Sequence, residues 1–201
     1  MEKLFYDLMS YFFGCCVVPD YPLTLDNNWF DFVPDELNET ESNWLFETSS
    51  LTARLKLNSK YFEVKVLSEI VQDLTLTQAS ILKVDVQPAL FREVILYCDD
   101  KPQVYAQSWI PLEVQKLQNH NLASLGTKPL GEQIFKDPSI ERDNIEIAKF
   151  DVSHPVAKVA EMLGLSELNS WGRRSVLSLA QKKLLVCEIF LPGSFLETKA
   201  L

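Results

Sequence analysis

Hydrophobic and polar positions alternate with a period of two along several stretches of this chain, and shift to a helical period between them. From Lys60 to Leu67, Phe62, Val64 and Val66 face one way and Tyr61, Glu63 and Lys65 the other. That pattern predicts a half-exposed strand. Arg92 to Cys98 is a strand-like run, Asp99 to Pro102 supplies turn residues, and Gln103 to Ile110 returns, which predicts a hairpin. The pattern recurs near the C-terminus. Ser175 to Leu179 is followed by a turn over Ala180, Gln181 and Lys182, then by Leu184 to Leu191, which Pro192 and Gly193 stop. Asn144 to Phe150 is a further strand, alternating Ile145 and Ile147 with Glu146 and Ala148.

Helical spacing appears elsewhere. Residues 43–58 read as helical, with Ser49 or Ser50 placed to cap a segment through Leu55. A short helix begins near Pro129. Another runs from about Pro155 to Leu165, with Val156, Val159, Ala160 and Leu163 on one face and Gly164 at its end. At the N-terminus, Leu4, Phe5, Leu8, Tyr11 and Phe12 predict an amphipathic helix packed on the domain. Glu2, Lys3 and Asp7 interrupt Met1 to Val18, which argues against a signal peptide. Membrane-surface attachment through Phe12 and Phe13 is the alternative reading. Residues 19–42 are turn-rich, with Pro19, Pro22 and Pro34, and predict an irregular arm.

Strands that come as hairpins, with helices between the groups, predict an α+β fold: a single antiparallel sheet with helices alongside. The expected organisation is one domain over 1–201, with 1–42 as N-terminal helix and connecting arm. Each half gives helices and then strands, a loose internal likeness. No stretch approaches the roughly 18 uncharged apolar residues of a membrane span.

Composition adds constraints. The chain is 47% hydrophobic, enough for a core, and carries a formal net charge of -9. Nucleic acid is disfavoured as a partner, because phosphate binding needs a basic footprint. A small anion would need a local basic pocket within that repulsive field. Cys15 and Cys16 are adjacent, and Cys98 and Cys187 sit in apolar runs. No metal spacing results, and buried free thiols in a reducing compartment, the cytoplasm, are expected.

The chemistry-bearing residue that stands out is Glu188, a lone carboxylate in Leu184 to Leu191, a run apolar on both faces and therefore read as a central strand. A buried carboxylate must be paired, hydrogen-bonded or protonated, so Glu188 is either a site residue or half of a structural ion pair. Arg92, opening another apolar strand, is its expected partner. Its guanidinium can hold Glu188, or hold a ligand carboxylate while Glu188 acts at the ligand's other end. Trp171-Gly172-Arg173-Arg174-Ser175 reads as a basic loop just before a strand, either anion-recognising or a solvated edge. Leu125-Gly126-Thr127-Lys128-Pro129-Leu130-Gly131 places two glycines around a helix start, and a simple turn explains it as well as a weak anion site does. His120 and His154 lie in polar connections, and neither H-E-x-x-H nor G-x-S-x-G occurs.

In order, R-E-V-I-L-Y-C-D-D-K-P (Arg92 to Pro102), L-G-T-K-P-L-G (Leu125 to Gly131), R-D-N-I-E-I (Arg142 to Ile147), W-G-R-R-S (Trp171 to Ser175) and E-I-F-L-P (Glu188 to Pro192) resemble the chorismate lyase family. The resemblance covers roughly residues 44–193. It implies an antiparallel sheet with helical flaps over an internal ligand cavity, a fold also found in ligand-sensing domains of bacterial transcription regulators. It further implies elimination of pyruvate from chorismate to give 4-hydroxybenzoate for quinone head groups. No metal or redox cofactor is implied, and a monomer is expected. Arg92 matches the arginine that holds the ring carboxylate, and Glu188 the buried glutamate near the product hydroxyl. Leu130 and Leu51 match pocket positions. Where the family often has an arginine in the second hairpin strand, this chain has Gln107. Lys128, Arg173 or Arg174 are then the expected substitutes for the cation that meets the second substrate carboxylate. Residues 148–170 run longer than in compact bacterial members, a form similar to cyanobacterial and plastid ones, so the plastid stroma is the alternative to the cytoplasm as the expected location. A non-catalytic module binding a small aromatic acid, or an assembly protein with a relict pocket, remains open beside the enzyme.

Overall fold

The computed structural model describes residues 23–115, 122 and 125–197. The expected helix over Met1 to Val18, Cys15, Cys16 and His120 lie outside those residues. Six strands, β1 (Phe62–Asp73), β2 (Pro88–Cys98), β3 (Lys101–Pro111), β4 (Glu141–Asp151), β5 (Asn169–Leu179) and β6 (Lys182–Phe190), form one sheet. Its order is β1-β2-β3-β6-β5-β4, and every neighbouring pair is antiparallel. Each half of the chain is thus a three-stranded meander, and β3 against β6 joins the halves.

Two tight turns set the registers. Asp99 and Asp100 have positive φ (48° and 62°), as do Ala180 and Gln181 (47° and 64°). A two-residue loop with both central residues in that region matches the twist of the strands it joins. Leu179 therefore pairs with Lys182, and counting back along that hairpin sets Arg173 opposite Glu188.

Short helices cover both faces. On one side α1 (Glu39–Leu45) and α2 (Leu51–Leu57) bury Trp44, Leu45, Leu51 and Leu55 against Val94, Leu96, Val104 and Phe190. A capping box between Asn38 and Glu41 starts α1, and the Ser50 hydroxyl accepts from Ala53 N to start α2. The expected single helix over 43–58 is therefore two helices. The first begins inside what reads as the irregular arm, because the capping box satisfies its first free amides. On the same face α4 (Leu112–Gln115) and α5 (Leu130–Ile134) pack beside Leu90, Ile110, Leu177 and Val186. On the other face α3 (Leu76–Leu82) and α6 (Ala157–Met162) cover Phe91, Ile95, Trp109, Phe150 and Ile189. With both faces covered, β6 is central, and from Leu184 to Phe190 it is apolar apart from Glu188. Cys98 and Cys187 are buried free thiols, and burial pushes Cys187 up to about 12. No described helix is long and apolar enough to cross a membrane.

Candidate functional site

Alternation along β2, β3 and β6 sends Arg92, Val94, Ala106, Ser108, Val186 and Glu188 to one face. There, between the α1–α2 cluster and the α4–α5 cluster, lies a tight pocket of about 50 Å³. Leu51, Val94, Leu96, Ala106, Leu130 and Ile134 supply apolar walls, and the charged lining groups are Arg92, Arg142 and Glu188. Roomier hollows open elsewhere, about 420 Å³ beside Gln107 and about 580 Å³ beside α6. The tight one is the candidate site, because three largely buried charged groups converge on it among apolar walls.

Arg92 pairs across β2 and β3 with Ser108, and Glu188 pairs across β6 and β3 with Ala106. Two strand spacings and two residues along the strand put their Cα atoms ~12 Å apart. Both residues line the pocket between them.

They do not pair with each other. Arg92, 2% exposed, donates from Nη1 to Glu69 Oε2 at 2.5 Å and from Nη2 to the Lys128 carbonyl at 3.2 Å. Burial lowers the Arg92 pKa, and Glu69 opposes that shift. Glu188 instead takes Arg173, directly opposite on β5, whose Nε lies 2.6 Å from Oε2. Nη1 of Arg173 reaches the carbonyls of Trp44 (3.3 Å), Leu45 (3.2 Å) and Glu47 (2.7 Å). The pair of Arg92 with Glu188 is thus replaced by two ion pairs, each on adjacent strands, while both residues still face one pocket.

The remaining expected residues divide. Leu51 and Leu130 line the pocket. Lys128 contributes only its carbonyl, and its side chain is exposed. Trp171 to Ser175 lies within β5 rather than in a loop before it, so alternation separates its two arginines. Arg173 is buried behind Glu188. Arg174 points to the opposite face, clamped to Glu146 at 2.7 and 3.0 Å and lying over Trp29. Gln107 also points to that opposite face. Its Nε2 donates to the Leu23 carbonyl and to Glu93 at 2.7 and 2.9 Å. The departure at Gln107 therefore leaves the pocket walls untouched.

Arg142 was not among the residues expected in the site. It lies in R-D-N-I-E-I, and reading the alternation back from Ile145 and Ile147 sets it on the far face with Glu146. The register of β4 against β5 shifts between Arg142 and Ile145, however. A bulge of this kind reverses the alternation, which turns Arg142 into the pocket. A pairing count against β5 across that irregularity is the signal that finds it.

A profile of the family described as Chorismate lyase matches residues 27–200. A probable chorismate pyruvate-lyase of Pseudoalteromonas translucida (strain TAC 125) is 45% identical over 177 residues, 88% of this chain and 98% of that one. One from Psychromonas ingrahamii is 38% identical over 175 residues, 86% and 94% of the two chains. These relatives are bacterial and carry no sign of a cyanobacterial or plastid subtype. Among solved structures, the effector domain of PhnF from Mycobacterium smegmatis matches with a TM-score of 0.55 at 16% identity, over 73% of this chain and 90% of that one. The ligand-binding domain of a putative GntR-family transcriptional regulator from Bordetella bronchiseptica gives 0.53 at 14%, over 71% and 92%. At those identities the likeness is one of fold.

Proposed function

The chain belongs to the chorismate lyase family, and on that footing we propose that it eliminates pyruvate from chorismate to leave 4-hydroxybenzoate, a quinone head-group precursor. The observation that carries the reading is that Arg92 and Glu188, on strands two apart in the sheet, both line one apolar-walled pocket.

Chorismate carries one carboxylate on its ring and one on its enolpyruvyl ether. Loss of the hydrogen on the hydroxyl-bearing carbon, with departure of the neighbouring ether oxygen, makes the ring aromatic. The electron pair of the broken C–H bond enters the ring, and the pair of the broken C–O bond leaves on enolpyruvate, which takes up a proton at its methylene to become pyruvate. Aromatisation provides the driving force, so the protein's part is to position the substrate and stabilise charge moving to the leaving group.

Arg92 receives the ring carboxylate. Glu69 and the Lys128 carbonyl hold its guanidinium in place beforehand, so little ordering remains to be done on binding. Glu188, itself fixed by Arg173, accepts the hydrogen bond of the ring hydroxyl at the other end. The apolar walls exclude water from the pocket.

Incubating the purified protein with chorismate should yield 4-hydroxybenzoate and pyruvate in equal amounts. Binding of 4-hydroxybenzoate without any turnover would instead leave a non-catalytic module of the same fold.

A further inference from the structure

With Arg92 and Glu188 given to the ring, the enolpyruvyl carboxylate of chorismate lacks a partner. Lys128 is outside the pocket, Arg174 is on the other face, and Arg173 lies behind Glu188. Arg142 faces the pocket from β4, on the far side of Glu188 from Arg92 in the strand order. In chorismate the ether carbon adjoins the hydroxyl-bearing carbon. A ring held by Arg92 at one end and by Glu188 at its hydroxyl therefore sends its side chain out obliquely from the hydroxyl end, the end of the pocket where Arg142 stands with Glu188.

The state of the Arg142 side chain suits an anion. Nε donates to the Thr48 carbonyl at 3.2 Å, and Nη1 donates to the Ser175 hydroxyl. Those bonds fix the guanidinium plane. Nη2 makes no hydrogen bond among the described residues, and no described carboxylate lies within ion-pair distance of this arginine. Glu188, the carboxylate whose charge acts on it most, is already engaged by Arg173. Two guanidinium groups thus flank one carboxylate; Glu47 adds a weaker pull but is itself paired with Arg54, so an excess positive charge is left in a largely buried place. Burial, more than the repulsion from Arg173, holds the Arg142 guanidinium down at about 10. An arriving carboxylate relieves that cost.

Arg142 also lines a second hollow, about 370 Å³ and open to the surface, with Phe46, Thr48 and Asn144. The guanidinium stands between the inner pocket and this outer space.

We propose that Arg142 is the catalytic residue that binds the enolpyruvyl carboxylate of chorismate and stabilises the departing enolpyruvate. This rests on the chorismate lyase reading and assigns the group that the reading lacks. The residue distinguishes substrate from product, because 4-hydroxybenzoate has no second carboxylate to offer it.

The test compares Arg142→Gln with the unmodified protein in two measurements, chorismate turnover and 4-hydroxybenzoate affinity by calorimetry. Removing one donor to a developing oxyanion costs about 100-fold or more in turnover, and a loss of that order in kcat/KM is expected with product affinity held within about threefold. Ser175→Ala, which frees the guanidinium without removing it, should reduce kcat/KM by about 3- to 10-fold, again without change in product affinity. It supplies the result should Arg142→Gln fail to fold. Normal turnover in either folded variant, or a loss of product affinity as large as the loss of turnover, overturns the proposal. An unmodified protein that makes no 4-hydroxybenzoate removes the parent reading instead, and the two failures are distinct.

Discussion

At the scale of single residues, the buried ion pair of Arg173 with Glu188, 2.6 Å across β5 and β6, holds the carboxylate at the pocket wall. Glu188 draws notice from sequence because an acid in an apolar strand must have company, and it has: Arg173 rather than Arg92. The information lay in the hairpin turn. Once Ala180 and Gln181 are recognised as a two-residue loop, the register places Arg173 opposite Glu188 with no further data. A second buried acid shows what a single alternation step decides. Glu93 adjoins Arg92 yet faces the other side, where Leu23 N, the Tyr105 hydroxyl and Gln107 Nε2 all donate to its Oε1. Its Oε2 is buried without a hydrogen-bond partner. Burial raises its pKa, with these donors opposing the shift. Between the ordinary carboxylate range and that raised value, the native protein binds more protons than the unfolded chain, so stability falls as pH rises through this window. Glu93→Gln cannot ionise and should escape the loss. Urea denaturation at a series of pH values should show the variant gaining on the parent as pH rises from the carboxylate range; two parallel curves would refute this origin of the shift.

At the scale of elements, the hairpins announce themselves, whereas bulges conceal their surroundings. The alternation that predicts a strand over Lys60 to Leu67 fades because the β1 register shifts between Val66 and Ser68, and β1 then continues to Asp73 in reversed phase. The same device in β4 hides Arg142. Helix α3 escapes a reading based on apolar period alone, although Thr75 and Gln78 form a capping box that marks its start. Helix α5 matters most for the pocket, since Leu130 and Gly131 line it. A Cβ at Gly131 would stand 2.9 Å from Thr52 Oγ1 and 3.0 Å from Ser50 Oγ, the hydroxyl that caps α2. Gly131→Ala must therefore displace the Thr52 and Ser50 hydroxyls, disturbing the cap, or push α5 away from α2. Overpacking of this kind costs about 1–3 kcal/mol, and it should appear as a lower denaturant midpoint at constant slope together with weaker 4-hydroxybenzoate binding. An unchanged midpoint and affinity would show that α5 does not need the close approach.

At the scale of the whole molecule, the α+β class and the antiparallel sheet follow from strand pairs separated by helices, but the strand order does not. Nothing local says that β3 meets β6, and that meeting joins the halves and brings Ala106 opposite Glu188. Without it Arg92 and Glu188 belong to separate meanders; with it they face across one pocket. The net charge of -9 argues against an anionic ligand only on average. Locally, Arg92, Arg142 and Arg173 surround the pocket and its neighbourhood, and short-range charge outweighs a distant field screened over ~10 Å. The pocket between β2 and β6 is the centre of this account, and calorimetric titration of 4-hydroxybenzoate into the protein and its Arg92→Ala variant tests it most directly. One molecule should bind per chain, and losing one partner of a charge-assisted contact should weaken binding by about 2–5 kcal/mol. Equal affinity in the two proteins would contradict the assignment of Arg92, and with it the orientation of the ring in the pocket.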